Sequence, residues 1–274
     1  MRITGTTRVT GIFGWPVGHS VSPPMQNAAF KALALDYCYV PFAVHPDALS
    51  SAVEAIRALN LRGVNITIPH KERVMAHLDT IDAEAAFVGA VNTVVNDGGR
   101  LTGYNTDGRG FMQSLAEQAI DLDGKDVFMV GAGGAARAVG YYVVQKARSL
   151  VLYGRTMERV ERLAEDLRKI GGTVSVSRDA KDLGRYYLII QATPLGLYDA
   201  DPLPVDADLL EKGQVVYDLV YKKTKLLREA RKRGCVALAG DGMLLWQGAL
   251  AFELWTGRKP DIDAMRRALR RTLG

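Results

Sequence analysis

The sequence predicts an α/β protein: an N-terminal α/β domain followed by a Rossmann-like domain with a doubly wound parallel sheet. Three observations predict it. Short β-rich runs alternate with segments of helical period along most of the chain. Those at 127–130, 150–153, 174–176, 188–191, 215–219 and 236–238 are short and mostly apolar, as strands buried on both faces are. The length of 274 residues also exceeds what one hydrophobic core usually organises.

In chain order, 9–13, 37–44 and 64–68 read as strands, and 25–35 and 46–59 between them carry apolar residues at helical spacing. Strands near 94–95 and 101–102 flank Asn96, Asp97, Gly98 and Gly99, residue types that tolerate the positive φ of a tight hairpin. A helix at 110–119 leads to a polar turn at 122–125, which we read as the entry to the strand-and-helix alternation of the second domain. The segments 243–255 and 261–273 read as helices with no strand to pair with. The expected division is therefore 1–108, 109–240, and terminal helices 241–274 packing back on the first domain. No solenoid-period repeat or low-complexity linker interrupts this plan.

Charge and composition narrow the function classes. The net charge of +5 arises from 35 basic and 30 acidic residues, with much of the excess in 228–233 and 266–271. In the second, Met265, Ala268 and Leu269 stand at helical spacing with arginines between them, which describes a solvated helix face better than a nucleic-acid surface. Anionic small molecules remain compatible partners. Residues 1–11 show no basic stretch followed by an apolar run, and no apolar segment approaches bilayer length, so the expectation is a cytoplasmic protein with no membrane partner. Cys38 and Cys235 match no metal or redox spacing and read as reduced, packed thiols. His19, His45, His70 and His77 have neither metal-ligand spacing nor a serine-and-acid arrangement, so no metal is expected.

Gly131, Ala132, Gly133, Gly134, Ala135 and Ala136 form a Gly-x-Gly-x-x-Ala turn directly after a buried strand and before a helical pattern. That is the context dinucleotide binding requires. The first glycine permits the tight turn, the second lets backbone approach a pyrophosphate, and the small residue at 136 allows helix to pack on strand. A strand-to-helix turn can need glycine for steric reasons alone. The second strand ends in Gly154, Arg155 and Thr156, with Arg159 one turn on, and has no carboxylate there to receive ribose hydroxyls. Two guanidinium groups and a hydroxyl at a helix start suit a ribose 2′-phosphate, so NADP is the expected cofactor; the plain alternative is surface arginines.

Ser20, Ser22 and Pro23 lead into a helix, with Ser22 read as its N-cap; both hydroxyls could instead hold a carboxylate. Strand alternation puts Asn65 and Thr67 on one face. Lys71 follows Pro69 and His70 and reads as lying in the first turn of a helix, where the dipole disfavours a cation. A functional role or a nearby carboxylate would account for it. Asp107 can supply that carboxylate, or be a plain N-cap.

Taken together, these segments resemble the shikimate dehydrogenase family over nearly the whole chain and in the same order. The resemblance is carried by the motifs at 19–23, 65–71, 89–93, 105–107 and 131–135, and by Gly240, Asp241, Gly242, Met243, Leu244 and Gln247 near the end. It implies reversible NADPH-dependent reduction of 3-dehydroshikimate to shikimate, a step of the chorismate branch of aromatic amino-acid biosynthesis. Ser20, Ser22, Asn65, Thr67, Asn92, Asp107, Tyr221 and Gln247 are implied to surround the substrate. Lys71 and Asp107 are the implied catalytic couple, the aspartate orienting the ammonium. The resemblance also places Thr193, Leu219, Gly240 and Met243 with the cofactor, in addition to the glycine turn and Gly154, Arg155, Thr156 and Arg159. It makes the first domain the substrate-binding one, in a monomer or homodimer.

Three positions depart from the family pattern: Gln26 where histidine is usual, Gly154 where asparagine is usual, and Gln191 where asparagine is usual. None removes a catalytic group. Competing readings are a quinate/shikimate dehydrogenase using NAD, a methylenetetrahydrofolate dehydrogenase, which the motifs at 20–23 and 105–107 disfavour, and a non-catalytic sensor of dinucleotide and hydroxy acid.

Overall fold

The computed structural model describes residues 3–273; Met1 and Arg2, part of the stretch read above for a leader, and Gly274 lie outside the described residues. The chain divides into two compact units. One comprises the described residues through Thr106 together with those from Gln247 onward, and the other is Asp107–Trp246.

The first unit is built on a mixed sheet of order β2-β1-β3-β5-β6-β4, with β1 Arg8–Gly14, β2 Tyr37–Ala43, β3 Gly63–Ile66, β4 Thr80–Ile81, β5 Thr93–Asp97 and β6 Arg100–Tyr104. β1 runs parallel to β2 and β3, whereas β5 is antiparallel to both β3 and β6. Asp97 pairs with Arg100, so the hairpin loop is Gly98 and Gly99, at φ 61° and 96°. Both lie in the left-handed region that a two-residue loop demands of its centre. β4 and helix α3 (Ala83–Val88) were not expected from the sequence. Two strand residues are too few to show alternation, and six helical ones too few to establish a period.

Helix α1 is Ser22–Ala32, starting three residues before its expected bound. The expected helix 46–59 is a 3₁₀ turn, Pro46–Ala48, followed by α2, Leu49–Ala58. Val53 and Ile56 of α2 are fully buried and pack with Val64 and Ile66 of β3 in one apolar cluster. The last two helices are α8, Asp241–Thr256, and α9, Ile262–Leu273. From Gln247 onward α8 belongs to the first unit, where the Trp255 indole Nε1 donates to the Val94 carbonyl at 3.0 Å. Gly63 makes this seat possible, because a β-carbon there would lie 2.4 Å from Trp255 Nε1. α9 packs along α1 and buries Met265 and Leu269.

The second unit holds β7 Asp126–Val130, β8 Ser149–Tyr153, β9 Thr173–Val176, β10 Leu188–Gln191, β11 Val215–Asp218 and β12 Val236–Ala239, each within a residue or two of expectation. All pairings are parallel, in the order β12-β11-β10-β7-β8-β9. Numbered within the unit this is the doubly wound order 6-5-4-1-2-3, whose reversal point lies between β7 and β10. α4 (Asp107–Glu117), α5 (Gly134–Val143), α6 (Met157–Ile170) and α7 (Lys225–Lys232) complete the unit. No helix among the described residues is long and apolar enough to cross a membrane.

At the start of β7, the Asp126 carboxylate accepts from Arg148 Nε at 2.9 Å, from Arg148 Nη2, and from the Ser149 hydroxyl at 2.6 Å. The Arg148 guanidinium, then Ser149, holds the Asp126 pKa down at about 2. The carboxylate thus contributes stability that is present above its unfolded value near 4 and is lost as pH falls through its folded value. Solvent screens the exposed Arg148, so the Asp126→Asn variant is expected to lose about 1 kcal/mol at pH 7. The difference from the parent should close between pH 4 and pH 2 in denaturant titrations; a loss of equal size at pH 2 would point to packing instead.

Candidate active site

In the first unit several of the polar residues singled out above are linked by hydrogen bonds. Ser20 Oγ accepts from the Ser22 backbone N–H at 3.3 Å. The Tyr39 hydroxyl donates to Asn65 Oδ1 at 2.7 Å, and Asn65 Nδ2 donates to the Asn92 carbonyl at 3.1 Å and to Thr93 Oγ1 at 3.0 Å. Thr93 in turn donates to Asn92 Oδ1 at 2.9 Å, and Asn92 Nδ2 donates to Thr106 Oγ1 at 3.0 Å. The Thr106 hydroxyl donates to the Gln247 carbonyl at 3.0 Å. Tyr39, Asn65, Asn92, Thr93 and Thr106 are all buried, and the polar side chain of each has found a protein partner.

Two expectations need correction here. Ser22 is not an N-cap: the helix begins at Ser22 itself, its cap position is Val21, and no side chain caps it. Lys71 does not lie in an α-helical first turn but in a turn that precedes a 3₁₀ segment, Arg73–His77. The macrodipole argument therefore loses most of its force, since so short a helix sums few peptide dipoles. Backbone contacts hold the lysine: its carbonyl accepts from the Val91 N–H at 2.8 Å. The preceding His70 is fully buried and donates from Nε2 to the Val44 carbonyl at 2.8 Å. Thr67 lies just past β3 on the face of Asn65, and Gly14 of β1 makes room for it, since a β-carbon there would meet Thr67 Cγ2 at 2.5 Å.

Tyr39, Thr93 and Thr106 were missed by the sequence reading. Thr93 and Thr106 sit inside quoted motifs, so their positions were in view. Tyr39 offered no signal beyond a strand residue of apolar character.

In the second unit the turn after β7 separates two uses of glycine. Gly131 sits at φ 118° and donates its N–H to the Tyr153 carbonyl at 2.8 Å, and a β-carbon on it would lie 2.8 Å from Ala192 O. The fold itself requires that glycine. Gly133 and Gly134 are exposed, and a β-carbon on either would meet nothing within 4 Å. They leave an open approach to the N–H groups that start α5, while Ala136 is fully buried behind them. Ala132 and Ala135 flank this opening.

Arg155, Thr156 and Arg159 are exposed at the start of α6, and neither guanidinium makes an ion pair or side-chain hydrogen bond within the described residues. Glu158, the one acid in that first turn, bonds Arg162 at 3.0 Å. Thr156 occupies the cap position without spending its hydroxyl on the helix. Gly154 cannot be exchanged for asparagine without movement, because its β-carbon would press on Val160 Cγ2 at 3.0 Å. Gln191, the other departure, is fully buried and ties down the loop that carries Thr193. It accepts from the Thr193 N–H at 2.9 Å and donates to the Thr193 and Leu195 carbonyls at 3.1 and 2.8 Å.

Leu219 and Gly240 lie back to back at the ends of β11 and β12, where a β-carbon on Gly240 would sit 2.1 Å from Leu219 O; the fold alone accounts for that glycine. Met243 is buried and donates its backbone N–H to the Tyr217 hydroxyl at 3.1 Å. Burial pushes the Tyr217 pKa up to about 12, so the phenol stays protonated and donates to Ser114 Oγ at 2.8 Å. Tyr221 is 40% exposed just beyond β11.

A 6-5-4-1-2-3 sheet with a Gly-x-Gly turn after its first strand, joined to a mixed α/β unit with a buried polar network, defines a two-unit protein of the dinucleotide-binding Rossmann class. Family models locate it further: residues 12–94 match the shikimate dehydrogenase substrate binding domain, 114–195 the shikimate / quinate 5-dehydrogenase domain, and 240–270 the shikimate 5′-dehydrogenase C-terminal domain. An NADP(+) shikimate dehydrogenase of Methanothermobacter thermautotrophicus is 45% identical over 284 residues, covering 99% of each chain. Its counterpart in Carboxydothermus hydrogenoformans is 42% identical over 276 residues, covering 98% of this chain and 99% of its own. The crystal structure of the Thermus thermophilus shikimate 5-dehydrogenase, in complex with NADP(H) and shikimate, superposes with a TM-score of 0.89 at 38% identity, covering 97% of this chain and 100% of that one. The chain belongs to the shikimate dehydrogenase family.

Proposed function

We propose that this protein catalyses the reversible NADPH-dependent reduction of 3-dehydroshikimate to shikimate, an oxidoreductase step on a CH–OH group in aromatic amino-acid biosynthesis. The observation that carries the reading is the buried network joining Tyr39, Asn65, Asn92, Thr93, Thr106 and the Gln247 carbonyl, which preorganises hydroxyl and amide groups for a ligand rich in hydroxyls.

On this reading the first unit holds the substrate and the second the cofactor. The exposed N–H groups at Gly133 and Gly134 receive the pyrophosphate, and Arg155, Thr156 and Arg159 receive the ribose 2′-phosphate. Thr193, Leu219, Gly240 and Met243 complete the cofactor set. Bound NADPH supplies the hydride for the ring ketone. Lys71 donates a proton to the oxygen as negative charge develops on it, with Asp107 as the accompanying carboxylate; in the oxidative direction Lys71 accepts the hydroxyl proton. Asp107 directly follows Thr106, whose backbone N–H donates to Asn92 Oδ1 at 3.0 Å, so the peptide leading into it is anchored. Ser20 and Ser22 take the ring carboxylate, while Asn65, Thr67, Asn92, Tyr221 and Gln247 take hydroxyls. The activity is assigned to the cytoplasm.

The test is NADP reduction by the purified protein with shikimate, repeated with quinate and with NAD. Turnover with shikimate and NADP is the expected result. Preference for quinate and NAD would move the assignment to a quinate dehydrogenase. Binding of both ligands without hydride transfer would make the protein a sensor.

A further inference from the structure

We propose that Tyr39 is a positioning residue for substrate recognition, its hydroxyl presenting Asn65 to the ligand as a hydrogen-bond acceptor; the inference rests on the activity proposed above. The side chain is held on every side. Its backbone N–H donates to Asn27 Oδ1 at 2.9 Å and its carbonyl accepts from Asn27 Nδ2 at 2.8 Å, which satisfies the outer edge of β2. Its ring is 1% exposed and lies 5.9 Å from the ring of Trp255. From this buried seat the hydroxyl donates to Asn65 Oδ1 at 2.7 Å.

Counting donors and acceptors on Asn65 gives the consequence. Its amide nitrogen has two hydrogens, and both are taken, by the Asn92 carbonyl and Thr93 Oγ1. Its oxygen has two lone pairs, of which Tyr39 takes one. What remains for a ligand is one acceptor lone pair, which matches a substrate hydroxyl and repels a carboxylate or ketone oxygen. Burial raises the Tyr39 pKa far above the ordinary phenol value, so the group donates throughout the working range.

The experiment is Tyr39→Phe, which keeps the ring and removes the oxygen, measured for both KM values, for kcat, and for shikimate binding by calorimetry. Expected is a rise in shikimate KM and Kd of about tenfold, with kcat and the KM for NADP changed less than about threefold. Asn65→Ala should raise the same constants, and the double variant should go no more than about twofold beyond Asn65→Ala alone, because the tyrosine acts through the asparagine. Unchanged shikimate constants, equal shifts for shikimate and NADP, or additive effects in the double variant each overturn the proposal. If the phenylalanine variant does not fold, Thr93→Val releases the other end of the Asn65 amide and should show the same split; no change in shikimate KM there overturns it. A parent protein that neither binds nor oxidises shikimate would instead sink the underlying assignment, and parent activity in the same assay tells the two failures apart.

Discussion

Replacing Lys71 by alanine is expected to lower turnover by roughly two to four orders of magnitude while moving the shikimate KM less than about threefold. The split follows from the proposed role of the lysine. An ammonium that donates to a developing alkoxide stabilises charge that exists in the transition state and not in the bound ketone. The backbone of the segment is held by groups alanine keeps: the residue-71 carbonyl on the Val91 N–H and the buried His70 on Val44. Steady-state kinetics in both directions, with a melting curve as control, decide the matter; turnover within about tenfold of the parent would remove Lys71 from the chemistry.

The second large effect concerns the cofactor. The double variant Arg155→Ala, Arg159→Ala is expected to raise the KM for NADP by about a hundredfold, since each charge-assisted bond to a phosphate contributes about 1.5–3 kcal/mol and about 1.4 kcal/mol is tenfold. The KM for NAD should stay within about threefold, because NAD lacks the 2′-phosphate those bonds would serve. Both arginines are exposed and without ion pairs within the described residues, and Glu158, the acid in the first turn of α6, is engaged by Arg162, so an anionic ligand meets their charge. A variant that weakens NADP and NAD equally would mean that the arginines act on the unit's general field, not on the 2′-phosphate.

Much of the second unit was legible because its signals are local. Each strand from β7 to β12 is a short apolar run bounded by polar turns, and the glycine turn is contiguous in sequence. The readings at Ser22 and Lys71 misplaced local structure for a related reason. Cap and dipole arguments consider only neighbours in sequence, whereas α1 already begins at Ser22 and the Lys71 turn is held by Val91 and Val44. β4 and α3 were too short for any period to declare itself.

By itself the sequence determined the α/β class, the parallel sheet, the dinucleotide turn and, through its ordered motifs, the family and the residues to test. Those depend on periodicity, composition and contiguous spacing. Only the tertiary structure decided that Gly131 and Gly240 serve the fold while Gly133 and Gly134 stay open, that Gln191 replaces asparagine by lacing its own loop, and that Tyr39 spends its hydroxyl on Asn65. Each of these turns on which atoms from distant segments meet within about 3 Å, and hydrogen bonds and close packing are set by that distance, not by separation along the chain.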